Sequence, residues 1–513
     1  MTGSILGAAD ITADVERSCD VCVIGSGAGG AVLAAGLVER GLSVVMLEEG
    51  GHFTNRDFDL DEGKTFPRLY QGRGAWATTD LSMTILQGRS VGGGTIVNWT
   101  TCYRTPERIL EHWRKVHGIE GYSAATLAPH FEAVERRLNI AEWPAAVANE
   151  NNKVLLDGCM KLGWEAHSTR RNVAGCGNTG YCGLGCPLNA KQAMGITYID
   201  DAVSGGLELF SNTKVLRLEL DGGKVARVVG RVLDPDDDRP LARSVVVKPK
   251  VAVLSAGAIG SPAVLLRSDL TSGGRVGKRT WMHPVVAMPA FYEREINGFY
   301  GAPQSAASHQ FIDRGPDKLG WFLETPPLQP MLISIGNTML GTQLRSFMER
   351  LPHLGTLLSI AVDGLLPSEE GATVSLRKDG RIRIDYAWSD LHDEAFREAY
   401  VVMARLSLAA GATEVLSGHI DPVRIRKEAD IELLRQRSYR PLEVPTFTAH
   451  QMGGCQMGPD PATSVVDPTL RHHDVPNLFV VDGSILPTAL GVNPSETIYG
   501  IAHMARDAVA SAV

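Results

Sequence analysis

Val21-Cys22-Val23-Ile24-Gly25-Ser26-Gly27-Ala28-Gly29-Gly30 is the stretch on which the fold turns. An apolar run leads into a glycine turn and then into a helical stretch, and a second apolar run over residues 44–47 ends in Glu48, about twenty residues beyond the turn. Strand, turn, helix, strand and terminal acid together make a dinucleotide-binding unit rather than an isolated glycine motif. Gly25 permits the tight turn, and Gly27 with Ala28 lets backbone approach a pyrophosphate. Gly30 allows the helix to pack on the strand, and the Glu48 carboxylate can accept a ribose hydroxyl. The phosphates are expected at the helix N-terminus, where unpaired N–H groups and the dipole favour negative charge.

A chain of 513 residues exceeds what one hydrophobic core usually supports, so two domains are expected. Its net charge of −8 speaks against nucleic acid or an anionic membrane surface as the main partner. Residues 1–17 show no basic-then-apolar leader pattern, and no apolar run reaches the length of a membrane span. The expected compartment is the cytoplasm. Eight cysteines are few for this length, and Cys19 and Cys22 flank or lie in the first strand, where small buried thiols are ordinary.

Residues 18–50 read as a β-α-β unit, and residues 86–98 as a Gly-rich loop. Residues 107–143 look helical, with Leu110, Trp113, Val116, Leu127, Phe131, Val134 and Leu138 at three-to-four spacing. From residue 212 to 254 the pattern becomes alternating and β-branched around an acidic turn at 234–238. Residues 285–445 have a different character, with strands at 373–377 and 381–386 joined by Lys378-Asp379-Gly380 and a helical stretch near 392–410. The apolar, Met-bearing stretches 322–339 and 354–366 read as core or partner-facing helices that could instead line an apolar pocket. Parallel-strand character returns at 478–481, and a closing helix over 495–512 is opened by Asn493-Pro494.

Three further segments complete a set in fixed order: Gly88-Arg89-Ser90-Val91-Gly92-Gly93-Gly94-Thr95-Ile96-Val97-Asn98; Ser255-Ala256-Gly257-Ala258-Ile259-Gly260-Ser261-Pro262; and the block running from His450-Gln451-Met452-Gly453-Gly454-Cys455 through Val481-Asp482-Gly483 and Asn493-Pro494 to Thr497. With these segments the chain resembles the glucose–methanol–choline (GMC) family of FAD-dependent oxidoreductases over essentially its whole length. In motif detail it is most similar to the family's long-chain alcohol oxidases and dehydrogenases. The resemblance implies a doubly wound, Rossmann-like α/β FAD-binding domain plus an α+β substrate domain with a mostly antiparallel sheet. We expect the FAD domain to be discontinuous, over 18–125, 188–284 and 446–513. The substrate domain is expected at 285–445, with a Cys/Gly-rich connecting segment at 150–187.

Each segment also has a physical reading. Gly92, Gly93 and Gly94, with Gly88 and Arg89 before them, let the chain lie flat against a planar ring whose edge Asn98 can hydrogen-bond. The resemblance implies a backbone contact from Val215 to the adenine, and it adds Ala256 and Thr497 to the cofactor site. Asp482 and Gly483 end a strand at its carboxyl edge, where open α/β sheets place ligands. The helix after Asn493-Pro494 would point its positive end at the flavin. Alcohol oxidation needs a group that takes the hydroxyl proton, and His450 is the candidate base. Asn493 stands where many relatives have a second histidine, and its amide can orient the alcohol oxygen. His283, His472, His473 and His503 are read as structural or surface residues.

Cys176, Cys182 and Cys186, spaced by five and three intervening residues among glycines and followed by Pro187, resemble iron–sulfur ligation. FAD glucose dehydrogenases of the family are similar here and carry a cluster. The following Ala190-Lys191-Gln192 resembles instead long-chain alcohol oxidases without a known cluster, and a cluster-free loop is the expectation adopted. The function expected is FAD-dependent oxidation of a hydrophobic or long-chain alcohol, with oxygen or a quinone, cytochrome or dye as electron acceptor. Two alternatives stand beside it: an FAD/iron–sulfur dehydrogenase of a sugar or sterol, and a non-redox flavin lyase on the same fold.

Overall fold

The computed structural model describes residues 3–513. Its first layer is an eight-stranded sheet in the order Ser4–Leu6, Glu208–Phe210, Val44–Leu47, Val15–Ile24, Pro240–Leu254, Lys224–Leu233 and Thr213–Asp221, with Leu478–Val480 also paired to Pro240–Leu254. The half nearest the N-terminal strand is parallel, and the last three strands form an antiparallel meander. Parallel strands covered on both faces require unbroken apolar runs. Accordingly Val21, Cys22, Val23, Val251, Ala252 and Val253 have no exposed surface.

The helix Ala28–Glu39 packs against Tyr198–Ser204 and the C-terminal helix Ser495–Ala510. It is built almost wholly from Gly, Ala, Val and Leu. A Cβ on Gly36 would collide with the Arg506 side chain, so the small residue sets how closely the two helices approach.

A second, nine-stranded sheet runs Arg424–Ile425, Ala412–Leu416, Val285–Tyr292, Leu354–Ala361, Trp321–Glu324, Ala306–Ser308 and His167–Ser168, with Phe447–Thr448 and Thr84–Ile85 paired off this path. Its central pairings are antiparallel. The helices Asp390–Ala409 and Glu150–Leu162 pack on it and on each other. Four segments far apart in the chain therefore meet in this sheet.

Two expectations are corrected. Residues 107–143 are not one helical stretch but the helices Glu107–His117 and Ala124–Arg137 followed by the strand Ile140–Glu142. Gly118 ends the first in a left-handed conformation at φ 65°, and the Ser123 hydroxyl accepts from Thr126 N–H to start the second. The stretch 354–366, read as helical, is the strand Leu354–Ala361, buried at every position, and 322–339 contributes the end of another strand, Trp321–Glu324, before a short helix Pro330–Ile335. Continuous apolar runs do not distinguish a core helix from a central strand, and tertiary pairing chose the strand. Among the described residues, no helix is long and apolar enough to cross a membrane.

Candidate active site

The carboxyl edge of the parallel strands opens on a cavity of about 300 Å³ that both ends of the chain build. Gly25, Gly27, Ala28 and Glu48 line it from the N-terminal unit. Gly88, Arg89, Gly93, Gly94 and Asn98 line it from the second glycine loop, with Val215 and Ala256 on the sheet side. His450, Asp482, Gly483, Asn493 and Pro494 come from the C-terminal block.

Three residues expected at the cofactor lie behind this wall. Gly30 has no room for a Cβ against the Gly25 carbonyl, so its task is helix–strand packing. Gly92, at φ 97°, turns its N–H to Ser26 Oγ at 3.0 Å. Thr497 is fully buried, with Oγ1 2.8 Å from Thr105 Oγ1, and ties the C-terminal helix to the region before Glu107–His117.

The remaining residues fit a dinucleotide. A Cβ on Gly93 would sit 2.7 Å from Gly27 Cα, so the two glycine turns touch backbone to backbone and leave a flat cradle. The N-termini of Ala28–Glu39 and Ser495–Ala510 both open into it, giving two positive helix ends in one cavity. Glu48 is nearly buried and accepts from Ser26 N–H, Ser26 Oγ and Gly50 N–H at 2.7–3.0 Å. Arg89 pairs with Glu49 at 3.3 Å and Asp238 at 2.9 Å and so braces the rim. Asp482 accepts from Ser261 Oγ, Gly257 N–H and Ser484 N–H, which locks its own loop to the start of the helix Gly257–Arg267. Gln87 Oε1, Asn98 Oδ1 and Asn493 Oδ1 are buried acceptors without a protein partner, and all three residues line the cavity. Such atoms call for donors from a bound group, and the ring N–H of the isoalloxazine of FAD is one.

Beyond the cradle the cavity becomes apolar along Val285, Leu358, Ile360 and Phe447, with a polar floor. There the Asn493 amide nitrogen lies 3.3 Å from His450 Nε2 and 3.5 Å from Glu324 Oε2. Burial pushes His450 down to about 4 and Glu324 up to about 8. Gln304 Nε2 donates to Glu324 Oε2 at 2.5 Å, and Glu324 Oε1 has no partner. Glu324 was not anticipated from the sequence. It ends an apolar strand, and only the sheet register carries it beneath Asn493. His283, read as structural or surface, is fully buried, with Nδ1 3.2 Å from Nδ1 of His450. His472 is buried against Ser272, His473 bonds Ser464, and His503 pairs with His130, all away from the cavity lining.

Cys176, Cys182 and Cys186 are free thiols around a separate small recess. Lys191 is buried below them and donates from Nζ to the carbonyls of Cys182, Asn98 and Ile96, so the cysteine loop rests on the back of the second glycine loop. Among the described residues, no group of three or more His, Cys, Asp or Glu side chains is arranged to hold a metal ion.

Fold and cavity together define a flavin-dependent oxidoreductase, with a cradle of two glycine turns and two helix N-termini that fits such a cofactor. Family models described as GMC oxidoreductase match residues 66–285 and 368–502. An uncharacterised GMC-type oxidoreductase of Mycobacterium tuberculosis is 31% identical, covering 95% of this chain and 75% of the relative. The long-chain-alcohol oxidase FAO4A of Arabidopsis thaliana is 29% identical, covering 95% of this chain and 68% of its own. In structure the chain is similar to pyridoxine 4-oxidase from Mesorbium loti, with a TM-score of 0.73, 20% identity, and coverage of 96% and 99%. The protein belongs to the GMC oxidoreductase family and binds FAD.

Proposed function

We propose that the protein oxidises a hydrophobic or long-chain alcohol to its carbonyl compound. The observation that carries this reading is the pairing of His450 and Asn493, 3.3 Å apart, at the junction of the polar floor with an apolar pocket and the C-terminal helix start. Bound FAD supplies the acceptor for the hydride of the carbinol carbon. His450 and Asn493 hold the hydroxyl oxygen, and His450 on the floor and Glu324 buried behind Asn493 are the two titratable groups placed to exchange its proton. Val285, Leu358, Ile360 and Phe447 offer the carbon chain an apolar wall and exclude water from the reacting bond. Gly25, Gly27, Ala28, Glu48, Gly88, Arg89, Gly93, Gly94, Asn98, Val215, Ala256, Asp482, Gly483 and Pro494 serve the cofactor.

The named long-chain-alcohol oxidase at 29% identity supports both the substrate class and oxygen as the acceptor. The two largest sheets support an FAD domain over 18–125, 188–284 and 446–513 and a substrate domain over 285–445, although Thr84–Ile85, His167–Ser168 and Phe447–Thr448 join the second sheet from outside that range. Anaerobic mixing with a panel of alcohols of rising chain length tests the reading. Bleaching of the flavin by longer alcohols, followed by fast recovery when oxygen is admitted, is the expected result. Bleaching by sugars alone, or recovery only with a quinone or dye, would replace it.

A further inference from the structure

Arg171 and Lys191 are 1% and 3% exposed, and among the described residues neither forms an ion pair with a carboxylate. Buried charges are ordinarily paired, so a countercharge has to come from the groups that both cations touch. Both touch Cys182. Arg171, on the strand Arg170–Asn172, donates from Nη2 to Cys182 Sγ at 3.8 Å and to the Trp99 carbonyl at 3.3 Å. Its Nε and Nη1 have no partner, and its guanidinium lies 4.9 Å from the centre of the Trp143 ring. Lys191 Nζ donates to the Cys182 carbonyl at 2.7 Å, to the Asn98 carbonyl at 3.0 Å and to the Ile96 carbonyl.

Neither cation is free to shed its charge. A guanidinium keeps its proton in proteins. The three carbonyl oxygens around Lys191 Nζ need three N–H donors, which an ammonium has and a neutral amine has not. Burial works against each charge taken alone, pushing the Cys182 thiol up and Lys191 down to about 8. Each is drawn back by the other, since Arg171 and Lys191 favour the thiolate and Cys182 and Cys186 favour the ammonium. Hydrogen bonds hold both cations charged, so the proton leaves sulfur. Cys182 shares with Cys176 and Cys186 a recess of about 20 Å³, and all three residues are partly exposed. The recess has room for one water-sized molecule.

We propose that Cys182 is a thiolate held by Arg171 and Lys191, and that the recess is an oxidation site at which it reacts with hydrogen peroxide. The sulfur gives an electron pair to one peroxide oxygen, the O–O bond breaks and an S–O bond forms. The second oxygen leaves as hydroxide and takes a proton from water, so sulfur is oxidised by two electrons and the peroxide is reduced. The thiol of Cys176 or Cys186 then attacks the sulfenic sulfur. An S–S bond replaces the S–O bond, and the thiol proton leaves with the hydroxyl as water. Either product is uncharged, which leaves both cations uncompensated behind the glycine loop that Lys191 braces at Ile96 and Asn98.

The test is a pulse of hydrogen peroxide on the FAD-loaded protein at pH 6.5 and at pH 8.5, with dimedone present to capture a sulfenic acid. Acid quenching, unfolding, blocking of the remaining thiols with iodoacetamide and peptide mapping then report each cysteine. We expect Cys182 to react first, as a dimedone adduct or a disulfide, at rates within about twofold of each other at the two pH values. An ordinary thiol with a pKa near 8.5 reacts about fiftyfold faster at the higher pH, following its thiolate fraction. The titratable and charged groups bearing on Cys182 are Arg171, Lys191, Cys176 and Cys186, and in Arg171→Met the steep rise should return. A Cys182 left as the free thiol, oxidation that begins at Cys176 or Cys186, or a fiftyfold rise at Cys182 in the unaltered protein overturns the proposal, whether or not the variant folds. The oxidant is added, so the result does not depend on which alcohol reduces the flavin.

Discussion

Glu324 and Asn493 come from opposite ends of the architecture, one closing a strand of the second sheet and the other opening the C-terminal helix, yet Glu324 Oε2 lies 3.5 Å from Asn493 Nδ2. A carboxyl buried with so few donors favours its neutral form, and its pKa is pushed up to about 8. Below that value it is protonated, and only above it can it accept the hydroxyl proton. We expect the rate of anaerobic flavin reduction to rise with pH through about 8, and Glu324→Gln to lose that limb and fall by roughly 10²- to 10⁴-fold. A rate flat from pH 6 to 9 in stopped-flow traces would show that this carboxyl does not limit the step.

His450→Ala should slow flavin reduction by about 10²- to 10⁴-fold while FAD stays bound, the size of a general acid–base contribution. Its ring belongs to the floor and not to the glycine cradle. Asn493→Ala should cost less, since His450 remains. Rapid mixing at saturating alcohol separates the two, and an unslowed His450→Ala would move the chemistry elsewhere.

Gly27 and Gly29 differ by two positions and should fail differently. A Cβ at Gly27 meets only Gly93 Cα at 3.8 Å and projects into the cavity, whereas one at Gly29 would run into the Val481 carbonyl. Gly27→Val is expected to fold and to lose FAD on gel filtration. Gly29→Ala should lower the melting temperature even without cofactor, at a cost of roughly 1–3 kcal/mol. Equal melting points for the two apo variants would contradict this division.

Iron analysis of anaerobically purified protein is expected to be blank, with absorbance explained by flavin alone. Cys182→Ser should then lower stability, through the loop that Lys191 fastens to the Asn98 and Ile96 carbonyls, more than it slows flavin reduction. About three irons per chain would establish a cluster at Cys176, Cys182 and Cys186 and make the enzyme a dehydrogenase.

The cofactor half was legible because its signals are local. A turn that needs Gly25 at φ 101°, a helix that must start within three residues of it, and an acid at the end of the next strand are all written within thirty residues. The substrate half was less so. The fully buried run at 354–361 has no periodicity to separate helix from strand, and its strand state exists only because Val285–Tyr292 and Trp321–Glu324 flank it. Thr497 lies inside a recognisable motif, and only the tertiary structure shows its hydroxyl turned to Thr105 rather than to the cavity.

Taken by itself, the sequence determined the nucleotide unit, the family and the pairing of His450 with Asn493, since each depends on residue types at short spacing or on ordered motifs. The tertiary structure alone decided what stands behind and beneath that pair. His283 and Glu324 lie 167 and 169 residues from the partners they meet, and neither carries a local signal of its own. Burial and sheet register brought them behind the floor, and those two properties arise only when distant strands pair.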